Sequence, residues 1–198
     1  MDLNRIILHY GPLSSEVLGQ LEEAAELVTV YAGDVLLAQG TMCKAWYFNR
    51  NGLLRVSYSG KGKENTILFG SEGDVFTSFH SWFANEPASF SLIAIEDSEV
   101  YQMPFHTMRR LISLYPEMLQ WTLTLLEGQM YVFERRYVKF ANCNAEERLI
   151  KFLGKDFPKL ERIAGKTIAQ RIPLKYIASY LGIKPETLSR LRRRIAGK

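Results

Sequence analysis

Residues 174–194 read LKYIASYLGIKPETLSRLRRR, and their spacing sets the architecture of the C-terminal third. Ile177 and Leu181 stand four residues apart, so they share one face of a helix. Ala178 offers a small side chain where a second helix must cross closely. Gly182 permits the left-handed backbone that ends the first helix. Ile183 plugs the turn, and Pro185 sits near the start of the second helix, where its missing N–H is tolerated. Leu188 and Leu191 close the core between the two helices. The spacing predicts a helix-turn-helix. Outward on the second helix lie short hydrogen-bonding groups and then cations: Glu186, Thr187, Ser189, Arg190, Arg193 and Arg194. The competing reading is a helical hairpin with a merely solvated basic face.

A helix-turn-helix presents its second helix N-terminus first to the major groove. Glu186, Thr187, Ser189 and Arg190 are therefore expected to reach base edges, with Glu186 accepting from a cytosine amino group and Arg190 pairing with guanine. Lys175, Tyr176, Lys184, Arg192, Arg193 and Arg194 are the phosphate candidates, which add affinity but little sequence information.

Charge supports a polyanionic partner. The net charge of +4 hides an asymmetry: residues 1–134 hold 8 Lys and Arg against 16 Asp and Glu, whereas 135–198 hold 17 against 5. A basic block on the reading segment is the electrostatic footprint of nucleic acid, and double-stranded DNA is the expected partner.

Upstream, residues 26–103 read as short β-strands separated by turns. Seven strand segments stand out, at 27–31, 35–37, 45–48, 53–58, 66–69, 90–95 and 99–103, and a total of around eight at this regular spacing is expected for a sandwich or barrel-like roll. Asn51-Gly52 is a strong hairpin signal between the third and fourth of these. After Pro104 the period changes. A long helix is expected from Pro116 to about residue 140, with Leu119, Leu123, Leu126, Met130, Phe133 and Tyr137 stepping by 4, 3, 4, 3 and 4. That is a coiled-coil seam and predicts a homodimer. A second stripe, Met118, Trp121, Leu125 and Val132, is expected to pack on the β-domain. Asn144 with Glu147 three residues on predicts a capped helix start, and 166–172 reads as a short extended piece. The domains read as 1–115, 116–140 and 141–198.

These motifs, in this order, resemble the cyclic-AMP receptor protein and fumarate-nitrate regulator family of bacterial transcription regulators. The most specific match is Ile177 to Arg190, with Glu186, Thr187 and Arg190 standing where the family's recognition helix has its E-T-x-x-R core. Gly33-Asp34, Gly52 and Gly73-Asp74 match turn glycines of its β-roll, and residues 134–148 resemble its hinge. The resemblance implies an α+β fold: an N-terminal double-stranded β-roll like the cyclic-nucleotide-binding domain, a long dimerisation helix and a C-terminal winged helix-turn-helix. It also implies a homodimer on a two-fold symmetric operator, with half-sites about 34 Å apart and RNA polymerase as a partner; the cytoplasm is expected separately, because residues 1–5 lack a secretory profile.

The departures concern the effector. The family's cyclic-AMP binders read roughly F-G-E-L…R-S/T-A at the phosphate. Here Thr77, Ser78 and Ala88 replace the glycine, glutamate and arginine, and only Ser89 remains. A buried phosphate without its bidentate cation loses its strongest partner, so cyclic AMP is not expected. Two distant cysteines, Cys43 and Cys143, do not supply the four ligands of an iron–sulfur cluster, and they read as incidental thiols. A haem ligand would have to come from His9, His80 or His106, and none stands in a ligand pattern. No cofactor or metal is expected. The aromatic, nearly uncharged stretch around Phe76, Ser78, Phe79, Trp82, Ser89 and Phe90, with Tyr47, suits a pocket for an unidentified apolar effector. The alternative is that these rings simply fill the roll. No Ser-His-Asp set, metal constellation or phosphate-cradling loop points to an enzyme. No apolar run is long enough to span a membrane. The competing function is a small-molecule-binding module with a vestigial DNA domain.

Overall fold

Eight antiparallel strands form the β-roll that the turn spacing implied, in two four-stranded sheets. The computed structural model describes residues 1–154 and 171–196. The strands are β1 (Glu26–Val30), β2 (Val35–Leu37), β3 (Ala45–Asn51), β4 (Leu54–Gly60), β5 (Lys63–Gly70), β6 (Val75–Phe76), β7 (Ser91–Ala94) and β8 (Ser98–Pro104). One sheet has the order β1-β8-β3-β6 and the other β2-β7-β4-β5. The side chains between them make a continuous core that includes Leu37, Tyr47, Leu54, Val56, Phe76, Leu92 and Val100.

The Asn51-Gly52 hairpin expected from the sequence is a correction. β3 and β4 lie in different sheets, so this dipeptide turns a corner instead of joining partners. A tight two-residue hairpin of this type needs positive φ at both central residues. Only Gly52 has it (φ +95°), and a Cβ there would lie 2.1 Å from Ser98 Oγ. The hairpin forms at Lys61-Gly62, with φ of 52° and 73°, where Gly60 faces Lys63 across the β4–β5 ladder.

Two helices that the strand and motif patterns did not reveal precede the roll: α1 (Leu3–Leu8), capped by the Asp2 carboxylate accepting from Arg5 N–H, and α2 (Ser15–Ala24), capped by Ser14. Between β6 and β7 a single π-turn spans His80–Ala84. The roll ends in α3 (Phe105–Leu114) and the long α4 (Pro116–Asn142), with Pro116 in its first turn. On α4, Met118, Trp121 and Leu125 are buried against α1, α2 and α3, and the Trp121 indole donates to the Ile7 carbonyl at 2.7 Å. Val132, expected on the same stripe, is 42% exposed; it borders a small cleft with Leu68 and Tyr180.

The predicted capped start is present in α5 (Ala145–Gly154). Glu147 N–H donates to Asn144 Oδ1 at 3.0 Å, and Asn144 N–H donates to Glu147 Oε2 at 2.9 Å, a reciprocal capping box. Of the extended piece expected at 166–172, only Arg171 and Ile172 lie among the described residues, and neither belongs to a strand. The expected wing falls outside the described residues. The chain then forms α6 (Leu174–Leu181) and α7 (Pro185–Ala196).

Candidate functional site

The helix-turn-helix closes on the side chains whose spacing defined it. Ile177, Ala178, Leu181, Leu188 and Leu191 are buried together with Leu149, Phe152 and Ile172. Gly182 takes the left-handed conformation (φ 66°, ψ 35°), and its N–H returns to the carbonyls of Ala178 and Ser179. Ile183 N–H donates to Ala178 O at 3.0 Å, which completes the Schellman-like turn.

With the apolar face sealed, α7 turns its polar face outward. Glu186, Arg190, Arg192, Arg193 and Arg194 are exposed, and Thr187 and Ser189 are half-buried. Glu186 sits in the first turn, where the helix dipole favours an anion, and the arginines cluster toward the C-terminal end, where it favours cations. Arg194 is ion-paired with Glu146 of α5. Lys175, in the first turn of α6, and Lys184, just before α7, are exposed. Tyr176 is placed differently: it is half-buried, with the Arg55 guanidinium 4.0 Å above its ring, so the ring faces the β-roll.

The α4 seam is exposed along its length. Leu119, Leu123, Met130, Phe133 and Tyr137 are 50%, 45%, 69%, 42% and 76% exposed, and Leu126 is half-buried. So many large apolar side chains on one line form an unpartnered face.

A cavity of about 230 Å³ opens between the roll and α4. Its walls are Trp46, Val56, Ile67, Leu68, Val75, Phe76, Thr77, Phe79, His80, Ser89 and Phe90 from the roll, and Leu125, Gln129 and Phe133 from α4. Four of the six pocket residues read from the sequence line it: Phe76, Phe79, Ser89 and Phe90. Ser78 and Trp82 do not, which is a correction. Ser78 is fully buried, with its carbonyl and hydroxyl accepting from the N–H groups of Trp82 and Ser81. Trp82 packs edge-on against Trp46 and Phe105 in the core beside α3. Trp82 lies in the π-turn and Ser78 just before it, and such an irregular turn has no periodicity to read. Tyr47 is likewise core, its hydroxyl reaching the Leu36 carbonyl at 3.4 Å; burial, and next the neighbouring Cys43, hold its phenol well above the usual tyrosine range. The sequence reading did not assign the other ten lining residues to the pocket, among them Val56, Leu68 and Gln129. Strand alternation was the available signal for the first two, which face each other across the β4–β5 ladder.

The cavity is lined mainly by apolar and aromatic side chains. Among its lining residues there is no Lys, Arg or carboxylate. Ala88, at the position of the phosphate-binding arginine, is buried, and so are Thr77 and Ser78. The polar groups present are largely engaged: Thr77 donates to Ala45 O, Gln129 donates to Val75 O, and His80 lies 3.5 Å from Glu86. Among the described residues no group of three His, Cys, Asp or Glu is placed to hold a metal, and no helix is long and apolar enough to cross a membrane.

Comparison with known proteins agrees with this architecture. Residues 27–115 match the cyclic nucleotide-binding domain. The chain is 26% identical over 183 residues to the electron transport regulator A of Shewanella oneidensis, covering 90% of this chain and 72% of that protein. It is 28% identical over 186 residues to the fumarate and nitrate reduction regulatory protein of Escherichia coli, again covering 90% and 72%. Among solved structures, FixK2 from Bradyrhizobium japonicum shares the fold with a TM-score of 0.77 at 19% identity, over 87% of this chain and 85% of that one. A transcriptional regulator from Eubacterium rectale shares it at 0.73 and 16% identity, over 95% and 88%.

Proposed function

We propose that this chain, a transcription regulator of the Crp/Fnr type, acts as a homodimer that reads a two-fold symmetric operator with one 185–194 helix in each half-site. The observation that carries this reading is the state of α7: its apolar side is locked into a sealed core, while Glu186, Arg190, Arg192 and Arg193 are exposed at the surface and Arg194 is exposed beside Glu146. Glu186, Thr187, Ser189 and Arg190 are the base-reading set. Lys175, Lys184, Arg192, Arg193 and Arg194 anchor phosphates. Tyr176 is removed from that group, because its ring is covered by Arg55.

The exposed α4 seam pairs with its copy in the partner. Phe133 belongs both to that seam and to the cavity wall, so the dimer face and the cavity share a side chain. The effector is a small, neutral, largely apolar molecule other than cyclic AMP, because the lining supplies no cation for a phosphate. RNA polymerase is the expected downstream partner, the cytoplasm the expected compartment, and catalysis is no part of the reading.

Titrating the protein with duplexes selected from randomised DNA, at several salt concentrations, tests the proposal. Binding that weakens steeply with salt, with a log–log slope of several phosphate contacts, supports it. A slope near zero overturns it.

A further inference from the structure

The outer face of the β4–β5 hairpin carries polar residues that alternation would give to solvent: Arg55, Ser57 and Thr66. All three are buried, at 4%, 1% and 2% exposure. What covers them is the helix-turn-helix of the same chain. Leu53 and Phe69, on that face, belong to the same apolar cluster as Ile177, Tyr180 and Leu181. Thr66 N–H donates to Ser179 Oγ at 2.8 Å. Arg55 is ion-paired with Glu64 at 2.8 Å and stacks on the Tyr176 ring. From α4, the Arg136 guanidinium lies 4.0 Å over the Tyr180 ring and donates to the carbonyls of both Thr66 and Tyr180. One arginine thus ties the dimer helix, the roll and the first helix of the reading module.

The strand beneath this seat has a second face. Leu68 and Ile67 line the cavity, while their neighbours Thr66 and Phe69 meet the helix-turn-helix. A register shift opposite Val56 and Ser57 leaves Ile67 unpaired in β5, so that adjacent residues Ile67 and Leu68 both line the cavity while Thr66 and Phe69 on either side of them face the helix-turn-helix. On α4 the same sharing recurs: Phe133 lines the cavity and Arg136 follows one turn on. The seat is also incompletely satisfied. Arg55 Nε, Ser57 Oγ and Thr66 Oγ1 are buried without a hydrogen-bond partner, and burial pulls the Arg136 guanidinium below its ordinary value, with Tyr180 opposing. Buried polar atoms without partners detract from an interface, so the paired contacts of Ser179 and Arg136 carry its polar part.

We infer that the β4–β5 outer face, with Arg55 and Arg136 as positioning residues, is a docking seat that fixes where each reading helix stands in the dimer. The inference rests on the regulator reading above. Docking leaves the reading face of α7 open, so it is compatible with DNA. Its effect is to hold two reading helices at one separation, which raises affinity for correctly spaced half-sites without a new DNA contact.

The test compares the full-length chain with Arg136→Ala and with Ser179→Ala. The second removes only one hydroxyl, so the comparison does not depend on the first variant folding perfectly. Each binds a selected two-fold duplex, the same duplex with its spacer changed by one or two base pairs, and a single half-site. The wild type is expected to discriminate against altered spacers at least tenfold. Arg136→Ala should bind all spacers within about twofold of one another, and Ser179→Ala should move partway. Half-site affinity and its salt slope should not change, a pattern that general destabilisation would not produce. Retention of the full spacer preference by Arg136→Ala overturns the inference. In parallel, hydrogen exchange at Thr66 N–H, without DNA, should be slow in the wild type and faster in both variants. Fast exchange in the wild type overturns the seat. If the wild type binds no duplex, the regulator reading fails, and the amide still reports on the seat separately.

Discussion

Phe140, near the end of α4, lies directly over Gly182 at the helix-turn-helix corner: a Cβ on Gly182 would come within 2.9 Å of the Phe140 ring. Phe140 is 43% exposed and free to yield, so the backbone sets the cost of substitution there. At φ +66° an L side chain pays about 1–2 kcal/mol. Gly182→Ala should destabilise the C-terminal module by about that amount, and Gly182→Asn by less, because asparagine tolerates this region. Denaturant unfolding followed by a probe in residues 141–196 measures the difference, and equal stability of all three proteins would contradict it.

Met130 and Leu123 are 69% and 45% exposed on the α4 seam, so an aspartate at either position meets water within one chain. In a dimer it would face its own copy across an apolar interface. Met130→Asp should leave helix content by circular dichroism intact and shift sedimentation from dimer to monomer. A variant that remains dimeric would show that the partner docks elsewhere.

Arg190 and Lys184 are both exposed, yet their expected roles differ. Arg190→Ala should cost about 1–3 kcal/mol on the preferred duplex and relax specificity at one base pair. Lys184→Ala should weaken all sequences alike and reduce the salt slope by about one phosphate contact. Competition binding against single-base variants separates them.

Tyr10 and Tyr47 are held neutral above the usual tyrosine range, in both cases chiefly by burial, with Asp74 adding for Tyr10 and Cys43 for Tyr47. Their native pKa exceeds the unfolded value of about 10. The native state therefore keeps protons that the unfolded state releases, and stability is complete below that value and falls as pH rises beyond it. Urea midpoints should drop above about pH 10, and the drop should be smaller in Tyr47→Phe. A flat profile would argue against two buried phenols.

The helix-turn-helix was legible because its restrictions are local: Ile177, Leu181, Gly182 and Leu188 each fill a slot defined by a few residues around them. The same holds for the Asn144–Glu147 box, which needs one turn of chain. Pairing partners were not local. Asn51-Gly52 reads as a hairpin from its own chemistry, but where the following strand goes depends on β5 and β7. Ser78 and Trp82 were misplaced for a related reason, since they stand just before and within the irregular π-turn. The docking seat was illegible because Arg55, Ser57 and Thr66 look like a solvated strand face until a domain from the far end of the chain covers them.

The β1–β8 ladder has a consequence for the newborn chain. Glu26 pairs with Gln102 and Val30 with Ser98, and among the described residues β8 is the only strand beside β1. At roughly 5–20 residues per second, a ribosome needs several seconds to deliver that partner. Throughout that interval the first strand has an open edge on both sides, and the roll folds only when its last strand has cleared the exit tunnel.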